Sequence, residues 1–269
     1  MDFIEILVLG LVQGITEWVP ISSKTQDTFV YAQVYQGDMS TLVPVLLYLH
    51  IGTLLSAVIY FRGELIALAR ECLQKQMDVR KHARGTPGFL FTSLLFTGIV
   101  GIPLLVIEKI FLPGLDARLL FVVMGLGLVL TGILLALRKG TGTRERQDVG
   151  WRDGVLTGIM QGLSVLPGIS RSGTSTTGLI WRGFDAESSF HLSFLLSIPT
   201  VIVAELFLYV NGSLAAFPVA DGIALALSSF AFGYLTLGIL LKIVSKVNLA
   251  YVALALGALM AAAGLLGQA

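Results

Sequence analysis

Six stretches of this 269-residue chain, about residues 41–61, 89–108, 118–138, 187–209, 218–242 and 248–267, are long and apolar enough to cross a bilayer, for which about 20 apolar residues suffice. No other feature narrows the fold as much. The composition agrees: 55% of residues are hydrophobic and only 13% charged, about half the charged share of a typical soluble domain. Two further apolar pieces, about 1–33 and 152–182, are each interrupted by Gly, Pro and polar residues at what would be mid-membrane depth. Irregular backbone is tolerated there only where protein or a water-filled cavity surrounds it. Both pieces therefore read as re-entrant helix–loop–helix hairpins.

Several function classes fall away early. The N-terminus, MDFIEI, has no basic segment of the kind that begins a cleaved signal peptide. The single cysteine, Cys72, excludes an intrachain disulfide framework and gives no metal cluster. A net charge of +1, with no Lys/Arg-rich block carrying interleaved aromatics, gives no sign of a nucleic-acid partner.

Loop charge orients the chain. The 62–88 loop holds Arg62, Arg70, Lys75, Arg80, Lys81 and Arg84, and the 138–152 loop holds Arg138, Lys139, Arg144, Arg146 and Arg152. Both lie on one side if 89–108 and 118–138 run out and back. The turn between those spans has only Lys109 and Arg118, the 210–217 loop has no basic residue, and Lys242 and Lys246 return to the basic side. The positive-inside rule makes that side cytoplasmic. The first hairpin then enters from outside and the second from the cytoplasm.

The hairpins resemble each other. GLVQGITEWVPISSKT (Gly10–Thr25) and GIMQGLSVLPGISRSGT (Gly158–Thr174) both run Gly-x-x-Gln-Gly, apolar residues, a proline, Ile-Ser and further hydroxyls. Entry from opposite sides makes this an inverted repeat, which places a site near the midplane where broken helices meet. The expected architecture is one all-α membrane domain over 1–269, with six transmembrane helices and two re-entrant hairpins. Repeat 1 spans about 1–138 and repeat 2 about 152–269.

Arg171 is costly at membrane depth and calls for a polar cavity with a partner. Ser170, Ser172, Thr174, Ser175 and Thr176 surround it, with glycines at 168 and 173. Arginine, hydroxyls and a helix that starts near Ser172 together make an anion site, and phosphate fits it best because it accepts several donors at once. In the other hairpin Glu17 shares a helix face with Gln13, four residues earlier. Together they could offer oxygen ligands to a divalent cation, Mg2+ or Ca2+, that also holds phosphate. Pairing of Glu17 with Arg171 is the structural alternative. Ser22, Ser23, Lys24 and Gln26 follow at the break. His50 and His191 each sit inside a span, where a helix–helix hydrogen bond is the commoner role, and His82 lies in the basic loop. Trp18, Trp151 and Trp181 fall near hairpin ends, and interfacial anchoring accounts for the last two.

At these residues the chain resembles the undecaprenyl-diphosphatases of the bacitracin-resistance type, over nearly its whole length. The carriers are QGITEWVPISS (family pattern E/Q-G-x-T-E-x-x-P-x-S-S), LHIGTLLSAVIYF, PGISRSGTS (family P-G-x-S-R-S-G-x-T) and SFLLSIP. The resemblance implies an integral membrane phosphatase with inverted re-entrant repeats. Such an enzyme hydrolyses a polyprenyl diphosphate to the monophosphate, helped by a divalent cation. By that resemblance the acidic motif falls on Gln13 and Glu17, the serine pair on Ser22 and Ser23, and the phosphate-binding arginine on Arg171, flanked by Ser170 and Ser172. Glu17, Ser23 and Arg171 are then the catalytic candidates, with Ser23 as nucleophile or orienting hydroxyl. Gln13, Ser22, Lys24, Gln26, Ser170, Ser172 and Thr174 are the substrate-binding candidates. One departure has weight. The serine pair is usually followed by x-G-H, and here by Lys24, Thr25 and Gln26. Gln26 can hydrogen-bond phosphate but cannot shuttle a proton at neutral pH. A smaller one is Ser175 in place of threonine. The expected setting is the cytoplasmic membrane, with the site facing outward and a homodimer as a further candidate assembly. The competing reading is a polyprenyl-phosphate flippase, since opposed re-entrant hairpins are also transporter architecture.

Overall fold

The computed structural model describes residues 1–74, 85–111, 115–137, 142–210, 217–244 and 246–267. Among these it is all-helical, with eleven α-helices and no strand. They are α1 (Phe3–Thr16), α2 (Ser23–Phe29), α3 (Leu42–Tyr60), α4 (Arg62–Gln74), α5 (Thr86–Phe111) and α6 (Ala117–Ala136), then α7 (Trp151–Gly162), α8 (Arg171–Trp181), α9 (Ala186–Val210), α10 (Val219–Val244) and α11 (Ala250–Leu265).

Five stretches are long and apolar enough to cross a membrane: Met39–Tyr60, Thr86–Glu108, Ala117–Ala136, Ala186–Val210 and Val219–Ile243. They coincide with the first five expected spans. The sixth expected span, 248–267, falls on α11, an apolar helix of only 16 residues that is shorter than the five. The pieces 1–33 and 152–182 are the helix pairs α1–α2 and α7–α8, broken where the sequence places its prolines. Lys75, Arg80, Lys81, His82, Arg84, Arg138 and Lys139, and most of the 210–217 loop, lie outside the described residues, as does the side chain of Lys109.

Local chemistry sets the breaks. Asp2 caps α1 by accepting from the Glu5 amide at 2.7 Å, and the Glu5 carboxylate accepts in return from the Asp2 amide, a reciprocal capping box. α1 stops at Thr16, and the chain turns through Glu17–Ile21 into Ser22, whose φ of +61° is unusual for a residue with a side chain. In the second hairpin Gly168 makes the corresponding turn with φ +85°. A Cβ there would stand 1.9 Å from the Met124 carbonyl oxygen of α6, so only glycine permits the approach. Ser170 then caps α8, its Oγ accepting from the Gly173 amide at 3.3 Å.

Packing is helix against helix through small residues. α1 lies along α10, where the Gly10 position faces Ser228, and α7 lies along α5, where the Gly158 position faces the Ser93 backbone. α6 and α11 pair through Gly125 and Gly257, each against the other's backbone. At the open end of the second hairpin, Arg144 grips Asp153 with two 2.8 Å bonds and Arg182 adds a third at 2.8 Å, tying the start of α7 to the end of α8. The turn of the first hairpin rests on a cluster of Trp18, Val19, Ala57, Phe61, Phe190, Phe194 and Leu195. Trp18 is therefore core, against Phe194 at 5.5 Å, whereas Trp151 and Trp181 are exposed as anchors would be. On α4, the Glu64 carboxyl is held below the usual carboxylate range by a 2.9 Å hydrogen bond to His191 Nε2 of α9.

Candidate active site

The two hairpin tips meet. Ser172 Oγ donates to the Val19 carbonyl at 3.2 Å, and Gly173 faces the Pro20 ring. That contact brings the charged residue of each hairpin together. Arg171 Nη2, at the first residue of α8, donates to Glu17 Oε1, just past the last residue of α1. Glu17 is 7% exposed and the Arg171 side chain 15%, so the pair is desolvated and each needs the other.

The rest of the Glu17 carboxylate is also occupied. Ser23 Oγ donates to Oε2 at 2.6 Å and Gln13 Nε2 to the same oxygen at 3.1 Å. Gln13 is held from behind by Thr53 of α3, at 3.1 Å. The helix face shared by Gln13 and Glu17 thus serves a hydrogen bond between them, and Gln13 Oε1 is left buried without a partner among the described residues. Arg171 Nη1 is in the same condition. One acceptor and one charged donor, both buried and unsatisfied, flank the ion pair. In a close-packed helical protein such groups are normally paired.

The flanking hydroxyls divide into those that face the ion pair and those that do not. Ser23 does. Ser170 is spent on the helix cap and on Ser172, at 3.1 Å between their Oγ atoms. Thr174 turns back to the carbonyls of Ser170 and Arg171, at 3.0 and 3.1 Å, and Ser175 to that of Arg171 and to Ser193. Ser22 bonds Thr25 at 2.9 Å, and Gln26 donates to the Ile21 carbonyl at 3.0 Å, bracing the first hairpin. Lys24 is exposed.

Three ionisable groups that the sequence does not place at this site join the neighbourhood. His50 of α3 brings Nε2 to 3.7 Å from Glu17 Oε2. Asp27, one turn beyond Ser23 on α2, is fully buried with neither carboxylate oxygen bonded among the described residues. Glu205 of α9 interacts electrostatically with His50, Lys24 and Glu17. His191 is elsewhere, on Glu64 and Arg146. No group of three or more His, Cys, Asp and Glu among the described residues could hold a metal ion on its own.

Fold and site together define a multi-pass helical membrane protein with a buried arginine–carboxylate pair where two helical hairpins touch. The chain belongs to the family described as bacitracin resistance protein BacA, whose profile matches residues 6–261. A protein of Methanococcoides burtonii named undecaprenyl-diphosphatase is 37% identical, over 95% of this chain and 96% of its own. Proteins of the same name from Methanothrix thermoacetophila and Haloarcula marismortui are each 32% identical, covering 96% and 97% of this chain and 95% and 96% of their own.

Proposed function

We propose that this protein hydrolyses a long polyprenyl diphosphate, of the undecaprenyl type, to the monophosphate and so returns a lipid carrier to use. The names of its relatives support the reaction, and one observation carries the site: Arg171 spends Nη2 on Glu17 and keeps Nη1 free. That donor takes a phosphate oxygen and stabilises the charge that develops on the equatorial oxygens of the transferred group. Glu17 holds the guanidinium in place and orients Ser23, which stands ready as nucleophile or orienting hydroxyl. Ser22, Lys24, Gln26, Ser170, Ser172 and Thr174 shape the rest of the pocket, Lys24 by charge and the others by fixing the two hairpin turns.

A divalent cation, Mg2+ or Ca2+, fits only as a guest shared with the substrate. The Glu17 oxygens are occupied by Arg171, Ser23 and Gln13, so of the Gln13–Glu17 pair the oxygen left without a described partner is Gln13 Oε1. A hard cation completes its shell with phosphate and water oxygens, and it would offset charge on the diphosphate.

The architecture proposed around this site is an inverted repeat over 1–138 and 152–269, with six spans and two re-entrant hairpins in the cytoplasmic membrane, the site opening outward. Two correspondences support it. α1 against α10 mirrors α7 against α5, and α6, the last helix of the first half, pairs with α11, the last of the second. Gln13 bonds Thr53 of α3, and Gln161, its counterpart, bonds Thr200 of α9 at 3.0 Å. Val165 stands where the alignment of the hairpins puts Glu17, and at that position the two halves differ. A homodimer is a further proposal, read out by the mass of the detergent-extracted particle.

The test is phosphate release from prenyl diphosphates of several chain lengths by protein purified in detergent, with and without chelator. Release by the natural protein that falls away in correctly inserted Arg171→Lys supports the hydrolase and its site. No release from protein that still binds prenyl monophosphate overturns it and favours the flippase.

A further inference from the structure

Hydrolysis of a phosphoanhydride needs a group to take the proton of the attacking oxygen. Glu17 is poorly suited, because a proton on it would break its ion pair with Arg171. Gln26 carries no titratable proton and is committed to the Ile21 carbonyl. Asp27 makes no described bond to Ser23, Arg171 or Glu17, and Lys24 is exposed. His50 is different.

Its Nδ1 lies 2.6 Å from the Leu46 carbonyl oxygen. A carbonyl only accepts, so Nδ1 carries the hydrogen and Nε2 of the neutral ring presents a lone pair. Nε2 is the nitrogen that faces the site, 3.7 Å from Glu17 Oε2, which also accepts from Ser23 Oγ at 2.6 Å. At 3.7 Å a lone pair and a carboxylate make no hydrogen bond. Once Nε2 gains a proton, the same two groups attract as a charge-assisted pair. The contact is therefore stronger after proton transfer than before it, the sign required of a group that acts in the transition state. The titratable groups about His50 are Glu17 from α1 and Glu205 from α9, and Glu205 also interacts with Lys24 of α2. α10, packed along α3, presents the hydroxyl of Ser229 to the Leu49 carbonyl at 2.9 Å.

Resting on the hydrolase reading, we infer that His50 Nε2 is the general base for water attack on the terminal phosphorus. An O–H bond of water breaks and its proton passes to Nε2. The water oxygen bonds phosphorus. The bridging P–O bond breaks, its electron pair going to the prenyl monophosphate, and the imidazolium, stabilised by Glu17, returns its proton to the departing inorganic phosphate or to solvent. The imidazole is supplied by α3, from 33 residues along the chain from Glu17, and not by α2.

The experiment uses the full-length protein in detergent. His50→Asn keeps a donor for the Leu46 carbonyl and removes the base. Its kcat for a prenyl diphosphate should fall about 10²–10⁴-fold, with KM and prenyl monophosphate binding within a few-fold of natural. The shape of the pH–rate profile should change with it, as loss of a proton-transfer group requires. His50→Ala should regain activity when free imidazole is added, and Gln26→His should restore part of the rate in the His50→Asn background. A His50→Asn enzyme within two-fold of natural kcat overturns the inference. So does a slow one with an unchanged pH profile and no response of His50→Ala to imidazole, which would make His50 a positioning residue. A natural protein that releases no phosphate at all fails the hydrolase reading and this inference with it; active natural protein with active His50→Asn fails the inference alone.

Discussion

Arg171 and Glu17 show how one residue's cost becomes another's role. Neither is tolerable alone at their burial, and removing one partner of such a pair costs about 3–5 kcal/mol because the other charge is stranded. Glu17→Gln and Arg171→Gln should each lower the unfolding midpoint in detergent markedly. The double variant should lose less than the sum of the two, a coupling read directly from a double-mutant cycle. Equal additive losses would mean the pair contributes nothing jointly. Arg171→Lys tests the chemistry separately. Lysine keeps the charge but not the second prong of a planar guanidinium, and loss of one donor to a developing oxyanion costs about 10²–10³-fold in rate. We expect kcat to drop by about 10² with insertion and elution profile intact, and near-natural turnover would move the phosphate site away from Nη1. At this scale the sequence was legible where charge stood out. Arg171 and Glu17 are conspicuous in apolar surroundings. The hydroxyls are less legible, because inside a helix Ser and Thr bond the carbonyl one turn back, as Thr174 and Ser175 do. The place of His50 and Glu205 at the site was not legible for another reason: each lies in an apolar span far along the chain from Glu17, and only the packing of α1, α3 and α9 gathers them.

At the scale of the element, the hairpins were readable because glycine and proline break helices for reasons that do not depend on tertiary context. What the sequence could not give was how tightly each tip is seated. Gly168 has φ +85° and its missing Cβ would overlap the Met124 carbonyl oxygen. Gly168→Ala should therefore push α8 off α6, shift Arg171 away from Glu17 and depress both thermal stability and turnover. Gly98→Ala is the control. Gly98 lies inside α5, where an added Cβ meets nothing nearer than Ile102 Cδ1 at 3.9 Å. Alanine in a helix interior is favoured over glycine by about 1 kcal/mol, so that variant should match or exceed the natural midpoint. If Gly168→Ala behaves like Gly98→Ala, the tip is not seated on α6 as described. The shortness of α11 was likewise invisible in sequence. The apolar run over 248–267 does not reveal that the helix closes at Leu265, 16 residues from its start.

At the scale of the whole molecule, hydropathy picks out the five long apolar helices and loop charge predicts an orientation for them, and the two signals are independent. The orientation matters because it decides which side the active site opens on. Arg62 and Arg70 of α4, and Arg144, Arg146, Arg152 and Arg182 at the open end of the second hairpin, fall together, joined by the His191 contact to Glu64 and Arg146. An excess of Lys and Arg in short loops marks the cytoplasmic side. Cys72, exposed on α4 and the sole cysteine of the chain, is a native reporter of that side. In intact cells it should be shielded from a membrane-impermeant maleimide and should react once the membrane is opened. In a Cys72→Ser background, Asn211→Cys, in the loop without basic residues, should be labelled in intact cells without permeabilisation. The reversed pattern would turn the molecule over, place the α1–α2 hairpin on the cytoplasmic side and require diphosphate to be hydrolysed there. Labelling of both positions from outside would break the inverted relation between the halves, since helices α3 to α9 could then no longer carry the two hairpins in from opposite faces.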